Sequence, residues 1–196
     1  MITVRIEDQE CQVSENTTYW ELAQQYQPNY EDDIMLAAVD GRLQELHHKV
    51  TQPCQLHFIT MADPDGMRTY ERSVLMLMNR AVYDVLPKED MHAVMALFSV
   101  NDGIYMEIKD KPAPDQPLLD KIEDRMRELV AQDIPFVKSM VPTDQARAFF
   151  RRVRMYQKDK LFRYRRVSHV NLYHLDNFSD YHFGYMAFCT GQLKYF

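Results

Sequence analysis

Leu36-Ala37-Ala38-Val39-Asp40-Gly41-Arg42-Leu43-Gln44-Glu45-Leu46 is the stretch that decides the fold. An apolar run, an Asp-Gly turn signal and a second short run predict two strands, 34–39 and 42–46, joined tightly. Upstream, residues 2–6 alternate apolar and polar like a strand, and residues 10–13 are placed to pair with them as a hairpin. Between the two pairs, Thr17 or Thr18 can cap a helix, with Glu21 completing a capping box. Leu22, Ala23 and Tyr26 face its core side, and Pro28-Asn29 ends it. Downstream, residues 55–59 supply a further strand. Asp63-Pro64-Asp65-Gly66 then gathers turn formers and marks a boundary.

Beyond that boundary the pattern is mixed. A helix is expected over 69–86, with Val74, Leu75, Met78, Ala81, Val82 and Val85 on a wide apolar face extended by Met76 and Leu77. Residues 94–100 and 104–108 flank Asn101-Asp102-Gly103, a hairpin signal. Asp115 is placed to cap a helix carrying Leu118, Ile122, Met126 and Leu129. A strand over 136–141 leads to a helix with Thr143 as its cap. Strands are expected over 167–175 and 181–188. The second part is therefore α+β.

Composition sets the outer bounds. A hydrophobic fraction of 46% over 196 residues allows a folded core. A net charge of -6 argues against nucleic-acid binding by bulk charge, and leaves room for a local patch. Three separated cysteines, Cys11, Cys54 and Cys189, form no CxxC pair and read as reduced thiols. No apolar run is long enough to span a membrane and the first residues are no signal peptide, so a cytoplasmic protein is expected. The five glycines never cluster into a phosphate-cradling GxxxxGK[ST] loop.

The stretch around Asp40-Gly41 resembles the middle of a TGS domain, the ubiquitin-like β-grasp module of threonyl-tRNA synthetases and some GTPases. The part from Arg72 onward resembles the second additional domain of threonyl- and alanyl-tRNA synthetases, which edits mischarged tRNA. The same pair precedes a uridine kinase-type domain in a group of bacterial nucleoside kinases. Glu45-Leu46-His47-His48, Thr60-Met61-Ala62-Asp63-Pro64-Asp65-Gly66 and Thr190-Gly191-Gln192-Leu193-Lys194-Tyr195-Phe196 are most similar to that group. The resemblance implies an α+β protein: a β-grasp domain over 1–62, then an editing-like domain over 63–196 cut off before a kinase domain. The role it implies is a non-catalytic accessory region of that kinase. An aminoacyl-tRNA editing deacylase and a tRNA-binding module stand as alternatives. ATP and Mg are expected only for a downstream kinase domain, as a partner in the same polypeptide, and no cofactor is expected in this chain.

The editing family carries HxxxH at the head of a helix, and a Cys followed four residues later by a His just before Thr-Gly. Those positions fall on Arg72, Met76, His182 and Met186. An arginine offers only donors and a thioether suits soft metals, so the resemblance implies a vestigial cleft with no catalytic residue and no metal. Ser73, Tyr185 and Thr190 are candidates to line it. Arg72 at a helix N-terminus opposes the dipole, and pairing with Glu71 or Asp65 is the expected explanation. His169, His174 and His182 match no ligand spacing, Cys189 reads as a quiet buried thiol, and His47-His48 reads as a turn.

One positive signal remains. Arg147, Arg151, Arg154 and Lys158 recur at helical spacing, and Lys160, Arg163, Arg165 and Arg166 follow. Either this is a solvated helix face, or it tracks the phosphates of an RNA or nucleotide, with Phe162 and Tyr164 stacking on bases.

Overall fold

The computed structural model describes residues 1–87, 94–100, 103–108 and 112–196. The hairpin signal expected at Asn101-Asp102 falls outside these residues. The chain forms two compact units: residues 1–74 with 184–196, and residues 75–183.

The first unit is a five-stranded sheet with one short helix. Strands β1 (Ile2–Ile6), β2 (Gln9–Val13), β3 (Ile34–Val39), β4 (Arg42–Glu45) and β5 (Cys54–Thr60) lie in the order β2-β1-β5-β3-β4. The central β1–β5 pair is parallel, with Ile6 opposite Leu56, and the other pairings are antiparallel. The quoted stretch forms the β3–β4 hairpin, with Leu36 opposite Glu45. Its turn needs Gly41, whose φ is +75°.

Helix α1 (Tyr19–Tyr26) starts where expected. Thr18 is the N-cap, its hydroxyl accepts from the Glu21 N–H, and the Glu21 carboxylate accepts from the Thr18 N–H at 2.7 Å. One face of the sheet and this helix enclose Val4, Ile6, Tyr19, Leu22, Ile34, Leu46, Leu56 and Phe58. Trp20 and Phe188 stack beside this core with ring centres 4.3 Å apart.

Helix α2 (Pro64–Val85) starts earlier than expected, and the unit boundary falls within it, between Val74 and Leu75. The turn-forming cluster is its first turn, with Asp65 among the early residues where the helix dipole favours a carboxylate. Gly66 is required there because a Cβ would fall on the Thr60 carbonyl oxygen.

In the second unit, β6 (Val94–Val100) and β7 (Gly103–Ile108) pair antiparallel. Helix α3 (Gln116–Ala131) is capped by Asp115, whose carboxylate accepts from the Leu118 N–H at 3.1 Å. Strands β8 (Val137–Pro142), β9 (His169–Leu175) and β10 (Phe178–Asp180) make an antiparallel sheet in the order β10-β9-β8. Helices α4 (Thr143–Arg152) and α5 (Tyr156–Arg163) lie in sequence between β8 and β9, and Ala146, Phe150, Phe162, Val170 and Leu172 form a core.

Four local expectations are corrected. Residues 181–188 are not a strand; the chain leaves β10 after Asp180 and runs irregularly. Thr143 is the first residue of α4 and not its cap, and its hydroxyl donates to the Val167 carbonyl. The basic helical run is two helices, because Arg154 takes φ +62° and turns the chain between α4 and α5. Phe162, offered as a base-stacking residue, is buried between Phe150 and Tyr181.

Candidate functional site

The unit boundary separates the four residues aligned with the editing ligands. Arg72 and Met186 are in the first unit, Met76 and His182 in the second.

In the first unit, α2 begins at Pro64, so Arg72 lies about two turns inside the helix and the dipole argument for it lapses. Its guanidinium donates to the Tyr185 carbonyl at 2.5 Å, while Asp65 pairs with Arg68. Gly184 follows from this contact: its φ is +120°, and a Cβ would come within 2.7 Å of the Arg72 guanidinium. Met186 is buried and its N–H donates to the buried Glu45 carboxylate at 3.0 Å. Ser73, also buried, accepts from the Ala187 N–H at 2.8 Å and donates to the Thr69 carbonyl. The Phe188 N–H goes to the Gln192 side chain. Three successive backbone donors thus end on side chains. Thr190 and Cys189 are buried as well.

In the second unit, Met76 is fully buried. His182 Nε2 lies 3.6 Å from the carboxylate of buried Asp180, which the Lys158 ammonium also contacts. Burial pushes Lys158 down to about 7, and Asp180 is the neighbour that supports its charge. Arg147 bonds Asp159 at 2.8 Å and Arg151 stands 3.8 Å from the same carboxylate. Three of the four residues proposed as a phosphate-tracking face are therefore gathered on internal carboxylates, and Arg154 occupies the turn.

His169, His174 and His182 meet different partners. His174 sits between the Ser139 and Ser179 hydroxyls at 2.6 and 2.7 Å, and burial holds its pKa below the usual value. His169 is near Ser168.

The solvent-facing chemistry of this unit lies further along. Tyr164 is 82% exposed and Phe183 77% exposed. The Arg165 guanidinium lies over the Tyr181 ring at 5.0 Å and over the Phe183 ring at 5.7 Å. Arg163 and Arg166 are exposed on either side in sequence. This pairs one exposed ring, Phe183, with a cation, and Tyr164 adds a second exposed ring beside Arg165 in sequence; exposed rings and cations together stack bases and neutralise phosphates. The sequence pointed to Tyr164 and the three arginines. It missed Phe183, which looked like one alternating residue of a strand.

No family model matches the chain. Curated relatives do, among them threonine–tRNA ligases. The protein from Carboxydothermus hydrogenoformans is 25% identical over 203 residues, covering 100% of this chain and 31% of the relative. That from Rubrobacter xylanophilus is 28% identical over 152 residues, 77% of this chain and 23% of the relative. That from Methylococcus capsulatus is 27% identical over 181 residues, 91% and 28%. The chain is similar to a region of threonine–tRNA ligases and spans less than a third of their length. Among the described residues, no helix is long and apolar enough to cross a membrane.

Proposed function

We propose that the chain is a tRNA-binding module related to the matching region of threonine–tRNA ligases. The observation that carries this reading is the similarity along the whole chain to the Carboxydothermus hydrogenoformans enzyme. The finer reading assigns residues 1–62 to a TGS-type β-grasp domain and 63–196 to an editing-like domain. The mixed sheet ordered β2-β1-β5-β3-β4 with α1 after its first hairpin supports the β-grasp assignment. Nothing among these relatives favours a nucleoside kinase parent, and the tRNA reading takes its place.

The module binds without hydrolysing. Of the four aligned positions, Arg72 holds a backbone carbonyl, and Met76 and Met186 are buried thioethers. Only His182 keeps an imidazole, and it faces Asp180. No set of three donors that would activate a water is carried over from the family. The RNA contact is assigned to Arg163, Tyr164, Arg165, Arg166 and Phe183, with the net charge of -6 confining it to this patch.

The test is tRNA binding at several salt concentrations. Affinity should fall with salt, and Tyr164→Ala should weaken it by about 1–3 kcal/mol, the effect of losing one stacked base. Arg163→Ala and Arg166→Ala should each reduce the salt slope by about one counterion. Mischarged threonine tRNA should stay charged, with or without zinc. Salt-independent binding, or affinity unmoved by these changes, would overturn the assignment.

A further inference from the structure

The turn after β4 carries a feature that the tRNA reading does not use. Glu45 closes the strand, and the His48 N–H donates back to the Glu45 carbonyl at 3.1 Å. The turn is fastened to the start of α1. The Leu46 carbonyl accepts from the Trp20 N–H at 2.8 Å, and the His48 carbonyl accepts from the Tyr19 N–H at 2.9 Å. Leu46 is buried, so the backbone here is pinned by packing as well as by hydrogen bonds.

The side chains on this turn converge. Glu45 is only 2% exposed, and its Oε1 is held by the Met186 N–H. Its Oε2 stands 4.0 Å from His47 Nε2. The rings of His47 and His48 stack with centres 4.3 Å apart at 29°. One carboxylate oxygen and one nitrogen from each imidazole lie within 4.8 Å of one another. A tetrahedral zinc with bonds of roughly 2.0–2.2 Å sets its ligand atoms about 3.3 Å apart. Both histidines are exposed and can rotate to close that gap, while the carboxylate is already held by its other oxygen.

We propose that Glu45, His47 and His48 form a site for a borderline divalent transition metal ion of the zinc and cobalt class. Two imidazoles and a carboxylate suit such ions and not calcium or magnesium, which prefer oxygen. The hydrogen bond from Met186 is the outer support that fixes the carboxylate. A depression of about 490 Å³ adjoins the histidines, lined by Tyr19, Gln44, His47, His48, Lys49 and Thr51. It leaves the fourth position open to water or to a small anion beside Lys49. The sequence reading expects no metal or cofactor in this chain and takes His47-His48 as a turn; the proposed site departs from both expectations on the convergence of Glu45 with the two histidines.

The experiment titrates the whole chain with Zn²⁺ by calorimetry and with Co²⁺ by visible absorption. Binding at one ion per chain is expected, with a cobalt spectrum of tetrahedral nitrogen and oxygen ligation. His47→Gln and His48→Gln should each weaken it at least tenfold without changing the circular dichroism, since neither side chain is in the core. Glu45→Gln keeps an acceptor for the Met186 N–H and should weaken metal binding too. Substituting Cys11 and Cys54 by Ser should leave binding intact. The proposal is overturned by an absence of stoichiometric binding, by binding that survives both histidine changes, or by binding lost with the cysteines. A result in which Glu45 merely pairs with a protonated His47 would appear as the first of these.

Discussion

The two units use buried polar groups in opposite ways. In the first, polar side chains grip backbone: Glu45 holds the Met186 N–H, Ser73 the Ala187 N–H, and the Gln192 amide donates to the Ile34 carbonyl. The Tyr70 hydroxyl bonds the Tyr195 backbone as both donor and acceptor. In the second, charged side chains grip one another. Arg80 and Arg125 share Asp84, Lys158 and His182 meet at Asp180, and Arg147 with Arg151 meets Asp159. Side-chain-to-backbone bonds fix where a segment of chain runs. Ion pairs leave the backbone path to the core and tie stability to protonation. The first unit should therefore fail by steric or hydrogen-bond damage, the second by loss of charge balance.

The largest expected effect tests the steric half. Gly66→Ala places a methyl on the Thr60 carbonyl oxygen, where no flexible side chain can yield. Loss of at least about 4 kcal/mol is expected in chemical denaturation, and a near-neutral result would break the claim that α2 starts by close approach to β5.

Next comes the charged half. Asp180→Asn removes the carboxylate beside the buried Lys158 ammonium and should cost about 3 kcal/mol at pH 6, where the pair is charged. Because burial pushes Lys158 down to about 7, the loss should shrink at pH 9, where the lysine is neutral with or without Asp180. An equal loss at both pH values would show that shape, not charge, is what Asp180 supplies.

A smaller effect returns to the first unit. Ser73→Ala removes the acceptor of the Ala187 N–H and should cost about 1–2 kcal/mol, independent of pH. Amide exchange at Ala187 should quicken along with it.

The contrast also explains what could be read from the sequence. The β3–β4 hairpin, the Thr18–Glu21 box and the Asp115 cap were legible because each is made by neighbours in sequence. The run 181–188 alternates like a strand, yet its N–H groups at Met186, Ala187 and Phe188 are taken by Glu45, Ser73 and Gln192. Two of those partners are more than 110 residues away, and no local pattern encodes them. The break between α4 and α5 carries no Gly or Pro signal; it is set by Arg154 at positive φ and by the Met155 N–H reaching the Phe150 carbonyl. At the candidate sites, Tyr164 and the arginines were visible as composition. His47-His48 reads in sequence as a turn, and the gathering of Glu45 with them carries no local signal, because its carboxylate is fixed by the distant Met186 N–H.

The smallest effects are in acid, and they separate the units by pH window. In the second unit, His174 is buried between two serines and its folded pKa lies below the usual 6.5. The folded state then binds fewer protons than the unfolded one, so stability rises with pH. The contribution is whole above about 6.5 and is lost as pH falls through the lower folded value. In the first unit, burial pushes the Glu7 carboxyl up, but hydrogen bonds from Tyr30, His57 and the Phe58 N–H outweigh it and leave its pKa below the usual 4.5. Its contribution is whole above 4.5 and lost only as pH falls through its own lower value. Side-chain NMR of His174 and of Tyr30 during an acid titration should show the second unit weakening first. His174→Gln should remove the earlier step and leave the later one. Simultaneous loss of both signals would mean that protonation acts on the chain as a whole and that the two polar strategies do not give the units separate acid responses.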